Sequence, residues 1–123
     1  MLVRLLLNTC ATSNPDIAGI YGTNEGSTLG VANAIDSQNL KGKVKVIGFD
    51  STEAIIAFLK SGVIQGFVVQ DAYQIGYQGI KTLNAAVSGQ SVPKEIDIPV
   101  KFVSAKNIDT PEIDKLLHPF GKK

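Results

Sequence analysis

Asn24, Asp50 and Gln70 occupy equivalent places in the chain, each following a short apolar run. The runs are Ile17-Ala18-Gly19-Ile20-Tyr21, Val44-Lys45-Val46-Ile47-Gly48-Phe49 and Gly66-Phe67-Val68-Val69. A carboxylate accepts from two neighbouring hydroxyls, and an amide gives one hydrogen bond and takes another, so the trio suits a ligand with vicinal hydroxyl groups. In an open parallel sheet, ligands bind beyond the C-terminal ends of the strands, where these residues would lie. The same residue types also form turns and cap helices, and Asp50 before Ser51-Thr52 fits that use equally. Both readings stay open on the residues alone. Glu25 and Asp71, one position further along, read as helix-start charges that complement the helix dipole.

Other chemistry is poorly provided for. The single histidine, His118, sits late in a short terminal helix, so a histidine-based triad or metal cluster has no second member, and a helix-end role suits it better. Cys10 is the only cysteine, which removes an internal disulfide and a cysteine-based zinc site. No catalytic residue, metal or cofactor is expected. Gly22-Thr23-Asn24-Glu25-Gly26 follows a strand but lacks both GxGxxG spacing and the Lys-Ser/Thr of a P-loop. Of the acidic set a phospho-receiver needs, Asp50 alone fits. Phe49, Phe67, Tyr73 and Tyr77 could stack on a ligand but fall at strand and helix spacing and read as core.

The 123 residues are 44% hydrophobic and 19% charged, enough for one domain with its own core, and twelve Lys+Arg against eleven Asp+Glu leave a net charge of +1. Arg4 is the only arginine and the lysines are scattered, so no basic stripe for nucleic acid is visible. The longest apolar run is far below the ~20 residues of a membrane helix. Arg4 followed by leucines and Cys10 resembles a lipoprotein signal, but Leu5 to Leu7 is well short of the ~7–15 residues of a signal core.

The elements that would position the trio repeat. Strand Ile17 to Tyr21 leads to a helix from Ser27 to about Ser37. Strand Val44 to Phe49 leads to a helix from Thr52 to about Lys60, capped by Ser51 or Thr52. Strand Gly66 to Val69 leads to a helix from about Ala72 to Val87, where Gly76 and Gly79 would let a neighbour approach closely. Ile96 to Val103 alternates like an edge or crossover strand, with Pro99 arguing against a central place. Asp109-Thr110-Pro111-Glu112 opens a last helix through Leu117, with Asp109 as cap. The repeat predicts an α/β fold, a three-layer Rossmann-like open parallel sheet with helices on both faces.

Asn14-Pro15-Asp16-Ile17, Asn24-Glu25-Gly26, Val44 to Asp50 and Val68-Val69-Gln70-Asp71-Ala72-Tyr73-Gln74-Ile75-Gly76-Tyr77 together resemble the C-terminal lobe of type I periplasmic sugar-binding proteins, the ribose-binding family. The likeness runs from about Ser13 to Asp109, leaving residues 1–12 as an unrelated segment and 110–123 as a C-terminal helix and tail. It implies that Asn24, Asp50 and Gln70 hydrogen-bond a monosaccharide. Glu25 departs from the family, which usually has Asp there. It further implies a non-enzymatic solute-binding component of an ATP-driven sugar importer, periplasmic or extracellular, closing two lobes around its sugar for an ABC permease. The effector lobe of a lac-type repressor resembles the same fold and is the alternative.

Against that family the chain reads as a partial lobe without a signal peptide, lacking one lobe and two strand–helix units that carry an arginine and aromatic ligands. Weak sugar binding, an unpaired edge at Ile17 to Tyr21 and a homo-oligomer, with Val3, Leu5 and Leu7 buried, are the expectations that follow.

Overall fold

The computed structural model describes Ser13, Asn14 and residues 16–121; the expectations for residues 1–12 lie outside them. Among the described residues eight elements follow in order: β1 Gly19–Tyr21, α1 Glu25–Ser37, β2 Lys45–Phe49, α2 Glu53–Lys60, β3 Gly66–Gln70, α3 Ala72–Val87, β4 Val100–Ser104 and α4 Pro111–Leu117. The sheet order is β1-β2-β3-β4. The first three strands run parallel, and β4 lies antiparallel to β3 at the far edge, pairing Gly66 with Ser104 and Gln70 with Val100. The α/β open sheet is therefore as expected, but mixed. Pro99 cannot donate to a ladder, so pairing starts after it and Ile96 to Ile98 stay outside the strand.

Helix starts follow their caps. Asn24 caps α1 in a reciprocal box with Ser27, which starts the helix at Glu25 rather than at Ser27. Thr52 caps α2 and Asp71 caps α3. At α4 the cap is Thr110 and not Asp109, because Pro111 takes the first helical position and fixes the cap at the residue before it. Glu112 turns instead to Lys101, 2.8 Å away, whose ammonium holds its carboxyl below the usual glutamate range. His118 ends α4, matching the helix-end role read for it.

Alternation along the strands sorts the sheet into two faces. Val46, Phe67, Val69 and Val103 are buried in one cluster with Val31 and Ile35 of α1, Ile55 and Leu59 of α2, and Ile113 of α4. Tyr21, Phe49, Val68 and Phe102 point the other way, and Tyr21 and Phe102 are each 51% exposed. The helices of the buried cluster, α1, α2 and α4, thus lie on one face of the sheet. The reason is topological: right-handed crossovers that advance in one direction, β1 to β2 to β3, put their helices on the same side.

α3 departs further, since none of its residues is buried, and Ile80, Leu83 and Val87 are exposed. A Cβ added at Gly76 or Gly79 would meet nothing within 4 Å, so the close neighbour these glycines suggested is not among the described residues.

Two glycines on the buried face are different. A Cβ at Gly22 would lie 2.7 Å from the Thr28 Cα, and one at Gly48 would overlap the Thr28 Cγ2. Gly48→Ala is therefore expected to cost about 1–3 kcal/mol through overpacking against α1. Gly79→Ala, in open helix, should gain about 0.5–1 kcal/mol. Urea unfolding of both variants checks the contrast, and equal effects would contradict the packing described.

Candidate functional site

Because β1, β2 and β3 are parallel, their C-terminal ends share one edge of the sheet. Asn24, Asp50 and Gln70 all lie there: Asn24 three residues beyond Tyr21, Asp50 directly after Phe49, and Gln70 as the last residue of β3. Asp50 donates its backbone N–H to the Val68 carbonyl at 2.8 Å, so the chain leaves β2 with a final tie to β3. Its φ is +67°, a left-handed conformation that a short polar side chain tolerates better than most. Gln70 Nε2 donates to Asp50 Oδ1 at 3.2 Å, joining the two side chains directly across the β2–β3 pair.

Asn24 is also the helix cap that its residue type allowed. Its Oδ1 accepts the Ser27 N–H at 2.8 Å, and its own N–H donates to Ser27 Oγ at 3.1 Å. Asp50 and Gln70 have no such duty, since Thr52 and Asp71 cap the helices that follow them. Asn24 therefore serves as a cap, whereas Asp50 and Gln70 do not.

These bonds also divide the hydrogen-bonding capacity. Asn24 Oδ1 uses one of its two lone pairs on the cap, and Gln70 Nε2 one of its two N–H groups on Asp50. What remains is the Asn24 Nδ2 donors, the second Gln70 Nε2 donor, the Gln70 Oε1 acceptor and the second Asp50 oxygen. Such an edge fits a neutral polyol that donates two hydroxyl protons and accepts at a third oxygen.

The residue that the sequence reading missed is Thr28. It is completely buried, donates its hydroxyl to the Asn24 carbonyl at 2.8 Å and accepts the Phe49 N–H at 2.9 Å. A lone threonine in a small-residue helix gives little signal, although the glycines at 22 and 48 mark the close approach.

The aromatic residues divide too. Phe67 is core, as read, but Tyr73 and Tyr77 are exposed and stack on each other with ring centroids 6.2 Å apart. Phe120 meets Tyr73 edge-on at 5.8 Å. Tyr73 and Phe120, with Asp71, Lys101 and Glu112, line a groove of about 560 Å³ that does not include the Asn24, Asp50 and Gln70 edge. Among the described residues no group of three or more His, Cys, Asp or Glu side chains could hold a metal ion, and no helix is long and apolar enough to cross a membrane.

Comparison with known proteins agrees with this architecture. The family model described as a periplasmic binding protein domain matches residues 5–91, beginning before Ser13, where the motif likeness starts. A ribose import binding protein of Haemophilus influenzae is 29% identical over 92 residues, covering 75% of this chain and 31% of that protein. A carbohydrate transporter solute binding protein from Agrobacterium radiobacter, solved in complex with D-arabinose, superposes with a TM-score of 0.89 at 41% identity, over 94% of this chain and 39% of that one. An ABC transporter solute binding protein from Agrobacterium vitis with bound D-fucose gives 0.85 at 36% identity, over 90% and 38%. The chain spans about a third of the length of the relatives it matches. With a family match over residues 5–91 and close superposition on a solute binding protein at 41% identity, this chain belongs to the periplasmic binding protein domain family.

Proposed function

We propose that this chain carries one wall of a monosaccharide site in the solute-binding component of an ATP-driven sugar importer, with Asn24, Asp50 and Gln70 as the hydrogen-bonding residues. The observation that carries the reading is the Gln70–Asp50 hydrogen bond at the strand ends, which turns two separate residues into one oriented pair. The similar proteins named above are import or transporter components, which favours transport over the repressor-lobe alternative. The component works without catalysis, in the periplasm or at the outer surface, and hands its sugar to an ABC permease. Residues 13–109 form the partial lobe and 110–123 its terminal helix and tail.

One wall binds weakly. Each hydrogen bond contributes only ~0.5–1.5 kcal/mol net, and three on an open edge do not offset the ~4–15 kcal/mol cost of association. Calorimetry with D-arabinose, D-ribose, D-galactose and D-fucose is expected to give millimolar or weaker affinity; a micromolar value would contradict the one-wall reading. At hundred-millimolar D-arabinose, NMR shifts should concentrate at Asn24, Asp50 and Gln70, and shifts confined to other residues would sink the assignment. Asp50→Gly separates recognition from strain, because it removes the carboxylate yet suits the left-handed φ. It should lose those local shifts while gaining about 0.5–1 kcal/mol in stability.

The chain also forms a homodimer in this reading. β1 is an edge strand, and the open sheet face shows Tyr21 and Phe102 to solvent among the described residues. Both features invite pairing with a second copy. Sedimentation at micromolar concentration, on the whole chain and on a version lacking residues 1–12, is expected to show a dimer; a monomer in both samples would overturn the claim.

A further inference from the structure

We infer that Thr28 is a positioning residue for the sugar-recognising edge, its hydroxyl holding the Asn24 helix start and the Phe49–Asp50 strand end at one fixed separation. The inference rests on the reading of that edge as the sugar site. It starts from an unfinished ladder. On its β1 side, β2 gives its N–H at Lys45 to Ala18 and receives at Ile47 the N–H of Gly22. β1 ends at Tyr21, so the Phe49 N–H, next on that side, has no strand to bond. Thr28 Oγ1 accepts it at 2.9 Å.

A hydroxyl has one proton, and here the shorter contact takes it: Thr28 Oγ1 donates to the Asn24 carbonyl at 2.8 Å, while the Phe49 carbonyl is 3.3 Å away. One buried atom therefore ties the residue whose Nδ2 faces outward to the strand position just before the Asp50 carboxylate. The glycines make the tie possible. Only a missing Cβ at positions 22 and 48 lets α1 come close enough for a side chain as short as threonine to reach the strand. Asn24 and Asp50 lie on separate loops, and Gln70 already fixes Asp50 from the β3 side. Thr28 supplies the corresponding fix from the β1 side, so that all three residues are held against one another before a ligand arrives.

The test compares Thr28→Ser, which keeps the hydroxyl, with Thr28→Val, which keeps the shape, and Thr28→Ala as a second hydroxyl-free variant should valine fail to fold. The whole chain is used throughout. In Thr28→Val or Thr28→Ala the Phe49 amide should exchange with solvent about tenfold faster or more, and the Asn24 side-chain amide and Asp50 backbone resonances should shift. Exchange at Phe67 and Leu59 in the core should stay near that of the parent chain. Thr28→Ser should restore the parent pattern. Unchanged Asn24 and Asp50 signals in the hydroxyl-free variants, equal loss of protection throughout the core, or failure of serine to restore the pattern would each overturn the inference. A parallel D-arabinose titration keeps the two claims apart. Absence of local shifts in the parent chain removes the sugar reading, whereas shifts that survive undiminished in Thr28→Val remove the positioning role.

Discussion

The approach of α1 to the end of β2 is the constraint on which the described edge depends. Thr28 is the single buried polar residue among those described, and its hydroxyl donates to its own helix start while accepting from Phe49, 21 positions away on β2. A buried hydroxyl without partners is costly, so the contact is made with both partners or the helix lies elsewhere. Two glycines leave the room for it. From this contact follow the closeness of the Asn24 cap to β2 and the burial of Val31, Ala32 and Ile35 against Val46 and Phe67.

The sheet is asymmetric for a reason that lies in chain order rather than composition. Each strand is laid beside the last in the same direction, so α1 and α2 fall on one face and leave the other to Tyr21, Phe49, Val68 and Phe102. β3 is well protected, with parallel β2 on one side and antiparallel β4 on the other. The edge at β1 and the exposed apolar side chains of α3 are the least satisfied parts of the described chain.

At the strand ends, the bonds that build the edge also give it a direction. An amide in free solution is indifferent between giving and taking a hydrogen bond. Asn24 commits one lone pair of its amide oxygen to the helix start and Gln70 one N–H to Asp50, and each bond fixes how its amide is turned. The left-handed backbone at Asp50 turns the chain out of β2 after its last tie to Val68. Strain of this kind persists where the surroundings over-determine it, and here bonds from β3 and the held strand end do so.

Much of this was legible in the residues taken alone. The apolar runs, the turn residues after them, Ser51 or Thr52 as cap, the 72–87 helix and the place of Asn24, Asp50 and Gln70 at strand ends all reflect interactions within about four residues, or a period of two or 3.6. Such patterns are written locally. The tertiary structure decided what local pattern cannot carry: that β4 runs antiparallel, that α1, α2 and α4 share a face, that no residue of α3 is buried, and that Asp50 takes a positive φ. It also decided the division of donors and acceptors, through bonds that join residues 20 and 21 positions apart, Gln70 to Asp50 and Phe49 to Thr28. A contact of that separation depends on how whole elements are placed, and no window of sequence short enough to show a period contains both of its ends.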